Sequence, residues 1–281
     1  MNFLFPDQVL LDALKEDIPW FDITSTYIVG KDSECTAELL AKETGIAAGL
    51  DVFGRVFELL GGVTVTFLKK DGDLVTPGEK IALLSGNTLN ILQGERTALN
   101  FLQRMSGIAT LTRKFVNVLE GSKAKLLDTR KTTPGLRIFE KYAVKVGGGE
   151  NHRFGLSDGI LIKDNHIGAA GGIKNAIEII RKNTGYGKKI EIEVENMSMV
   201  KEAVAMKADI IMLDNMSVPL IKEAVDFIDK RAITECSGNV NIDTISQIAA
   251  TGIDYISVGE LTHSARILDF SLKNLVKINE A

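Results

Sequence analysis

Apolar positions in the first third of the chain follow two local periods. Strand-like apolar runs occupy Cys35 to Ala41, Ile46 to Leu50 and Val63 to Phe67. Apolar residues recur with helical spacing over residues 6–17 and Asp51 to Leu60. Strands that come in runs, with helices set between them, predict a small mixed α/β layer instead of a regular alternation of strand and helix.

A long helical pattern follows from Thr88 to about Val118. Because glycine is a weak helix former, we expect this helix to break near Ser106-Gly107. The pattern also carries the adjacent charges Glu95 and Arg96. From the pattern alone, they are an exposed pair on a helix surface, which adds little to stability.

The sequence pattern changes at residue 124, where apolar and amphipathic segments begin to alternate. Seven strand candidates begin near Lys125, Ala143, Gly159, Ile190, Asp209, Ile233 and Tyr255. Amphipathic segments separate the later ones, at Gly172 to Lys182, Ser198 to Lys207, Val218 to Lys230 and Thr244 to Ala250. Repeats of one strand and one helix are typical of parallel βα units. They predict a closed or nearly closed α/β barrel, with an open doubly wound sheet as the alternative.

The tail of the chain, Leu261 to Ala281, carries one more helical pattern, which we expect to return to the first domain. We therefore place an N-terminal domain at residues 1–105, joined by the tail at residues 265–281. The barrel is expected over residues 106–264.

Polar clusters stand where the barrel strands end, and they read DTRK, KDNH, EVEN, LDN, ECSGN and VGE. Parallel strands point their carboxyl ends to one rim, so the polar side chains are expected to converge there. The candidate site residues of the barrel are Thr129, Arg130, Lys131, His152, Arg153, Lys163, Glu193, Asp214, Ser237, Gly238, Asn239, Ser257 and Gly259.

The middle of the chain is more basic than the rest. Between Asp128 and His166 there are seven lysines and arginines against five acids, whereas the whole chain has a formal net charge of -4. This local excess of cations predicts a site for an anionic small molecule. Arginine is suited to bidentate contacts with carboxylate or phosphate, and lysine to a point-charge contact.

Acids and glycines at the ends of later strands are further candidates for binding a ligand. In Glu191 to Glu195, acids alternate with apolar residues, which places three carboxylates on one strand face, and Asp214 ends the next strand. Beside a phosphorylated ligand, such carboxylates are suited to bind Mg²⁺ or ribose hydroxyls. Gly238 and Gly259 follow the last two strands, where barrel loops commonly bind phosphate.

Several classes of protein are excluded by what the sequence lacks. It has no nucleophilic triad, metalloprotease motif, Walker loop or dinucleotide fingerprint, so covalent catalysis is not the first interpretation. Its acidic balance, without a basic face, argues against nucleic-acid binding. Cys35 and Cys236 form no C-x-x-C pattern, which indicates a reducing compartment. With no signal-peptide pattern and no apolar run long enough for a membrane helix, we expect a cytoplasmic protein.

These segments together resemble the quinolinate phosphoribosyltransferase family. The resemblance covers nearly the whole chain, in GERTALNFLQRMSGIAT, DTRKTTPGLRIFEKYAVKVGGGENHRFGLSDGILIKDNH, EVEN, LDN, ECSGN and SVGELTHSA. It implies an N-terminal open-faced α/β sandwich domain and an incomplete, seven-stranded α/β barrel. It also implies phosphoribosyl transfer from 5-phosphoribosyl 1-diphosphate to quinolinate with Mg²⁺. The products would be nicotinate mononucleotide, pyrophosphate and CO₂, in NAD biosynthesis.

The resemblance also implies roles for the basic residues. Arg130, His152, Arg153 and Lys163 match residues that hold the two carboxylates of quinolinate. Lys131 matches a residue at the junction with the phosphoribosyl donor.

Other implied roles concern the donor and the assembly. Glu193 and Asp214 match acids that serve the donor's ribose and the metal ion, and Ser237, Gly238 and Gly259 match the phosphate-binding loops. With Lys131, these two acids are the expected catalytic residues. Arg96 matches an arginine that family members insert into a neighbouring subunit's active site, which implies at least a homodimer.

Three alternatives stay open beside this interpretation. A paralogous group of molybdate-uptake operons shares the fold and some motifs, but the intact TRK and NHR motifs favour the quinolinate enzyme. A nicotinate phosphoribosyltransferase would need no second carboxylate site, and a non-catalytic barrel would bind the sugar diphosphate alone. The chain departs from the family at Phe21, where the family usually has glycine, so the local loop geometry is expected to differ.

Overall fold

The computed structural model describes residues 6–30, 32–185 and 187–278. Its helices are α1 (Pro6–Asp17), α2 (Ile23–Ile28), α3 (Leu50–Leu60), α4 (Thr88–Val118), α5 (Arg137–Gly147), α6 (Asp164–Ala170), α7 (Ile173–Asn183), α8 (Met197–Ala205), α9 (Val218–Ile228), α10 (Ile245–Ala249) and α11 (Glu260–His263). Its strands are β1 (Glu34–Ala41), β2 (Gly45–Ile46), β3 (Val63–Phe67), β4 (Leu74–Val75), β5 (Lys80–Asn87), β6 (Lys125–Leu127), β7 (Ile160–Ile162), β8 (Ile190–Val194), β9 (Ile210–Asp214), β10 (Ile233–Ser237), β11 (Tyr255–Ser257) and β12 (Phe270–Lys277).

The chain divides into two compact units. The first contains residues 1–113, 132–148 and 264–281, and the second contains residues 114–131 and 149–263. The domain boundaries expected from the sequence stay a prediction.

An antiparallel sheet with strand order β12-β1-β5-β3 forms the base of the first unit. Helix α3 buries Val52, Phe53, Val56 and Phe57, and it contacts β3. The tail pairs with β1 through β12, so it returns to the first unit as expected, but as a strand. The helix expected in the tail is limited to α11. An extended tail completes the hydrogen bonds at the β1 edge, and local periodicity does not encode such tertiary pairing.

Helix α4 runs without interruption through Ser106 and Gly107, so the break expected there was wrong. The glycine is required by packing: a Cβ at Gly107 would lie 1.9 Å from the carbonyl oxygen of Arg266. Glycine inside a helix costs about 1 kcal/mol relative to alanine. The close approach of the two backbone segments explains why the helix continues through it.

The strand expected near Ala143 was also wrong, because Arg137–Gly147 form α5. The short run around Ala143 alternates enough to look like a strand. Over a longer window, however, the buried residues Phe139, Ala143 and Gly147 recur at every fourth position, which is a helical spacing. Glu140 on the same helix is fully buried and forms an ion pair with Arg104, with 2.9 Å between Nη2 and Oε1.

A parallel sheet with strand order β6-β11-β10-β9-β8-β7 forms the second unit, six strands within the described residues. A parallel bridge from Leu127 to Glu150 extends the β6 edge and occupies a seventh strand position. From β7 to β11, strands that follow one another in sequence are neighbours in this sheet, and β11 pairs with β6, which is the circular order of a barrel and not the reversed order of a doubly wound sheet. The fold class expected from the sequence, a sandwich domain with an incomplete barrel, is confirmed.

The helices expected between the later strands are confirmed as α7, α8, α9 and α10. Across the described residues, no helix combines the length and the apolar character needed to cross a bilayer.

The register of the parallel strands sets which side chains share a face. Glu193 of β8 lies beside Met212 of β9, and Met212 lies beside Glu235 of β10. Residues in register on parallel strands point to the same side of the sheet, and side chains alternate along each strand. Glu191, Glu193 and Glu235 therefore share one face, whereas Ile192 lies on the other.

Candidate active site

A cavity of about 930 Å³ lies at the carboxyl ends of the parallel strands. Its walls carry all the candidate site residues named for the barrel: Thr129, Arg130, Lys131, His152, Arg153, Lys163, Glu193, Asp214, Ser237, Gly238, Asn239, Ser257 and Gly259. The expected convergence of basic and acidic side chains is thus observed in one place.

Two other basic residues have different positions. Arg96 is exposed on α4 in the first unit, so its expected role in a neighbouring subunit stays a prediction. His166 is exposed, and its Nδ1 accepts the backbone N–H of Lys163 at 2.9 Å. His166 therefore caps the start of α6.

The loop that carries His152 is held by Asp128, which is fully buried after β6. Asp128 accepts the backbone N–H of His152 at 2.9 Å through Oδ1 and the side chain of Asn151 at 2.6 Å through Oδ2. Hydrogen bonds to a carboxylate are among the stronger ones in proteins. Asp128 thereby fixes the segment from which His152 and Arg153 reach the cavity. The sequence reasoning did not assign it a role.

Lys163 and Glu193 face each other across the ends of two strands. The Nζ of Lys163 lies 2.5 Å from Oε2 of Glu193, whose side chain is 11% exposed. One positive and one negative wall of the cavity therefore meet at this pair.

Two guanidinium groups lie close together on the basic wall. Burial and the nearby charge of Arg130 lower the pKa of Arg153, while Glu191 and Asp158 oppose this shift. Arg153 donates through Nη1 to the carbonyl oxygen of Gly159 at 3.0 Å. Like charges in proximity are unfavourable unless an anion is bound between them, so this wall is suited to an anionic ligand.

The loop after β10 is connected to the acid that ends β9. Gly238 has φ +88°, which favours glycine, and a Cβ there would lie 2.8 Å from the backbone nitrogen of Asn215. Asn215 donates to Oδ2 of Asp214 at 2.7 Å and accepts from Asn239 at 2.9 Å. The position of Asp214 thus depends on the conformation of the glycine loop.

The loop after β11 approaches the segment after β6. A Cβ at Gly259 would lie 3.0 Å from Cδ of Lys131 and 3.2 Å from the ring of His263. The hydroxyl of Thr262 donates to the carbonyl oxygen of Lys131 at 2.8 Å. His263, the third histidine of the chain, also lines the cavity, and the sequence reasoning did not single it out. Its position four residues after Gly259, in the segment after the last strand, was the available signal.

A buried polar cluster lies below this cavity, formed by His152, Glu191 and Glu235. The Nε2 of His152 lies 3.2 Å from Oε1 of Glu191 and 3.6 Å from Oε1 of Glu235. Burial and the neighbouring Glu191 raise the pKa of Glu235 to about 7. Sequence reasoning missed Glu235, although the acid in ECSGN interrupts an otherwise uncharged strand.

Two groups of side chains have ligand atoms of the kind that metal ions bind. Glu193 and Asp214 line the cavity at the ends of neighbouring strands, and carboxylate oxygens are the ligands that Mg²⁺ prefers. This pair fits the ion implied by the resemblance. The ligand atoms of His152, Glu191 and Glu235 also lie within 4.8 Å of one another. Because Nδ1 of His152 accepts the N–H of Arg153 at 2.8 Å, its proton lies on Nε2, which leaves no free lone pair there for a metal ion.

The cysteines do not contribute a nucleophile to this site. Both are buried, and burial raises the pKa of the Cys236 thiol to about 12. A thiol that is protonated at neutral pH is a poor nucleophile.

Comparisons with known proteins identify the two halves of the chain. The family model for the N-terminal domain of quinolinate phosphoribosyl transferase matches residues 22–106, and that for its C-terminal domain matches residues 108–273. A probable nicotinate-nucleotide pyrophosphorylase (carboxylating) of Bacillus subtilis is 45% identical, covering 97% of this chain and 94% of that protein. The corresponding chloroplastic protein of Arabidopsis thaliana is 44% identical, covering 90% and 77%. The crystal structure of NadC from Streptococcus pyogenes superposes with a TM-score of 0.96 at 46% identity, covering 99% of each chain.

Proposed function

The chain belongs to the quinolinate phosphoribosyltransferase family, and we propose that it carries out the decarboxylating reaction of that family. It transfers the phosphoribosyl group of 5-phosphoribosyl 1-diphosphate to quinolinate and releases pyrophosphate and CO₂. The product is nicotinate mononucleotide, a precursor of NAD. One observation carries the proposal: the cationic and acidic residues named by the family motifs line a single cavity.

Quinolinate is assigned to the basic wall of the cavity. Its two carboxylates require closely spaced cations, and Arg130, Arg153 and Lys163 provide them together with His152. Arginine can hold a carboxylate with two parallel hydrogen bonds, which orients the pyridine ring as well as binding it. This arrangement favours a dicarboxylate over nicotinate, which has one carboxylate.

The phosphoribosyl donor is assigned to the acidic wall and the glycine loops. Glu193 and Asp214 would hold Mg²⁺ and the ribose hydroxyls, and the loops at Ser237 to Asn239 and Ser257 to Gly259 would hold phosphate. Backbone N–H groups of such loops are suited to phosphate oxygens. Lys131, placed against Gly259, stands between the two substrates.

The chemistry follows from the charges on these walls. Departure of pyrophosphate leaves positive charge on the ribose carbon, which Glu193 and Asp214 stabilise. Bound Mg²⁺ supplies charge that neutralises the leaving group. The pyridine nitrogen then forms the bond to C1 of the ribose. When CO₂ leaves, the electron pair stays on a ring carbon beside the cationic nitrogen, and that carbon then takes a proton from water, so the protein needs mainly to bind and orient the substrates.

A homodimer in which Arg96 completes the partner's site is part of the proposal. An exposed apolar surface at the start of the first unit supports it, where Trp20 is 92% exposed and Tyr27 and Ile28 are each 78% exposed. Contiguous exposed apolar side chains commonly mark protein interfaces. Phe21, at the position of the usual family glycine, is 52% exposed in the same segment. The cytoplasmic location stays a prediction.

A single assay tests the function: nicotinate mononucleotide formation from quinolinate and 5-phosphoribosyl 1-diphosphate, with Mg²⁺ and after its removal by a chelator. We expect turnover with release of CO₂ that depends on Mg²⁺. Arg130→Ala and Lys163→Ala should each abolish measurable quinolinate binding with an unchanged circular dichroism spectrum. Lys222→Ala, which removes an exposed lysine of α9, is the matched control and should behave as wild type.

The same assay separates the alternatives. Turnover of nicotinate without CO₂ release would identify a nicotinate phosphoribosyltransferase. Binding of the sugar diphosphate without turnover, unaffected by Lys131→Ala, would identify a non-catalytic barrel. Unfolding of the Arg130→Ala and Lys163→Ala variants would mean that these residues are structural.

A further inference from the structure

The interior of a parallel barrel is normally filled by apolar side chains, and this one holds two acids instead. The side chain of Glu191 is 6% exposed and that of Glu235 is 3% exposed. Two ionised carboxylates in contact inside a protein are strongly unfavourable, because both lose water and they repel each other. Such an arrangement persists only if a cation or a proton offsets one of the charges.

The ring of His152 does not provide that offset for both acids. Its Nδ1 accepts the backbone N–H of Arg153, so its single proton in the neutral state lies on Nε2. Nε2 donates to Oε1 of Glu191 at 3.2 Å, whereas Oε1 of Glu235 is 3.6 Å away. Among the described residues, Oε1 of Glu235 has no hydrogen-bond partner. One buried oxygen of Glu235 therefore lacks a donor, and the hydroxyl of Ser257 is the other hydrogen-bonding neighbour of this acid.

The groups around Glu235 come from each element that packs against it. Glu191 faces it from β8, His152 from the loop after the Glu150 bridge, and Ser257 from β11, while Cys236 is its neighbour on β10. Of these neighbours, His152 alone can add positive charge, and it is already hydrogen-bonded to Glu191. Arg153, Lys188 and Lys189 are the other basic residues that line a cavity with Glu235 in the described part of the chain. A proton on Glu235 relieves the repulsion at no cost in packing.

The charge of this cluster matters for the cavity above it. Glu191 acts electrostatically on Arg153, which together with Arg130 forms the basic wall. Two negative charges below the wall would offset the two guanidinium charges, whereas one negative charge leaves this pair net positive. A dicarboxylate substrate is attracted more strongly in the second case.

We propose that Glu235 is a positioning residue for the quinolinate subsite: as a neutral carboxylic acid beside Glu191, it keeps the two acids from carrying two negative charges below His152 and Arg153. The inference rests on the proposed function. Glu235 touches no substrate; it acts through the orientation of His152 and the field at the arginines.

The test is the pH dependence of the quinolinate KM between pH 6 and pH 9, in wild type, Glu235→Gln and Glu191→Gln. If quinolinate binds only when Glu235 is neutral, the wild-type KM should rise up to about tenfold from pH 6 to pH 8, since the competent fraction falls by that factor around a pKa of about 7. Glutamine mimics the neutral acid, so Glu235→Gln should keep the low KM of wild type at pH 6 and show no rise. In Glu191→Gln, ionisation of Glu235 leaves only one negative charge below the wall, so the rise should be absent.

Other readouts separate this role from a structural one. The KM for 5-phosphoribosyl 1-diphosphate should stay close to wild type in Glu235→Gln. Glu223→Gln, an exposed acid of α9, is the control and should keep the wild-type pH profile. In infrared spectra, the carbonyl band of a protonated carboxyl group should be present in wild type at pH 6, disappear with a midpoint near pH 7, and be absent from Glu235→Gln.

The possible failures are distinguishable. Wild-type protein that turns over no quinolinate at any pH would overturn the proposed function. If the protein is active but its quinolinate KM rises with pH as steeply in Glu235→Gln as in wild type, only the inference is overturned. If Glu235→Gln does not fold, a rise as steep as that of wild type in Glu191→Gln would overturn the inference equally.

Discussion

Replacement of Gly238 by alanine should damage both stability and donor binding. Gly238 has φ +88°, and a Cβ there would lie 2.2 Å from Oδ1 and 2.8 Å from the backbone nitrogen of Asn215. The left-handed backbone alone costs an alanine about 1 kcal/mol. Displacing Asn215 also weakens its hydrogen bonds to Ser237 and Asp214, worth roughly 1 kcal/mol each.

The total expected loss is therefore about 3 kcal/mol of unfolding free energy in Gly238→Ala. Gly252→Ala is the matched control, because Gly252 has φ +85° in the same unit but its Cβ would meet nothing closer than 3.9 Å. That variant should lose only about 1 kcal/mol, the backbone cost.

Urea unfolding followed by circular dichroism measures the stability loss, and steady-state kinetics measure the KM for 5-phosphoribosyl 1-diphosphate. We expect this KM to rise on the order of tenfold in Gly238→Ala, which corresponds to one weakened contact with a charged group. In Gly252→Ala it should not change. Equal unfolding midpoints in the two variants, with an unchanged KM in both, would refute the steric reasoning.

Three further predictions follow from other parts of the structure. Glu140→Ala should destabilise the protein by about 3 to 5 kcal/mol in urea unfolding, because it removes the buried acid of the ion pair with Arg104. Asp226→Ala, in the exposed pair with Lys222, is the control and should cost less than about 1 kcal/mol. Equal losses in the two variants would contradict the difference between a buried and an exposed pair. The folded-state pKa of Glu235 lies above its usual 4.5, so the folded protein binds more protons between pH 4.5 and 7, and stability falls as pH rises through this window. Glu235→Gln should therefore gain stability relative to wild type from pH 5 to pH 8, and a constant difference would count against the raised pKa. Arg96→Ala and Lys163→Ala chains should each be inactive, and a mixture that exchanges subunits should recover some turnover through hybrid dimers. A mixture as inactive as its components would argue against a site shared between subunits.

Local signals in the sequence determined most of the barrel and its site. Apolar runs that end in polar clusters predicted six of the strands at their observed places, near Lys125, Gly159, Ile190, Asp209, Ile233 and Tyr255. Because parallel strands end on the same rim, the same clusters also predicted which charges meet in the cavity. A strand and its terminal charges are adjacent in sequence, so this information is local.

The tertiary structure decided features that depend on distant residues. The backbone of Arg266 packs against Gly107, so only glycine fits at this position of α4. The tail forms a strand because it pairs with the edge of β1. Packing inside the barrel brings Glu235 against Glu191, and this contact together with burial raises the pKa of Glu235 to about 7. Periodicity and residue type specify what a segment can form, whereas the partner that a buried charge meets is specified only by packing between segments far apart in the chain.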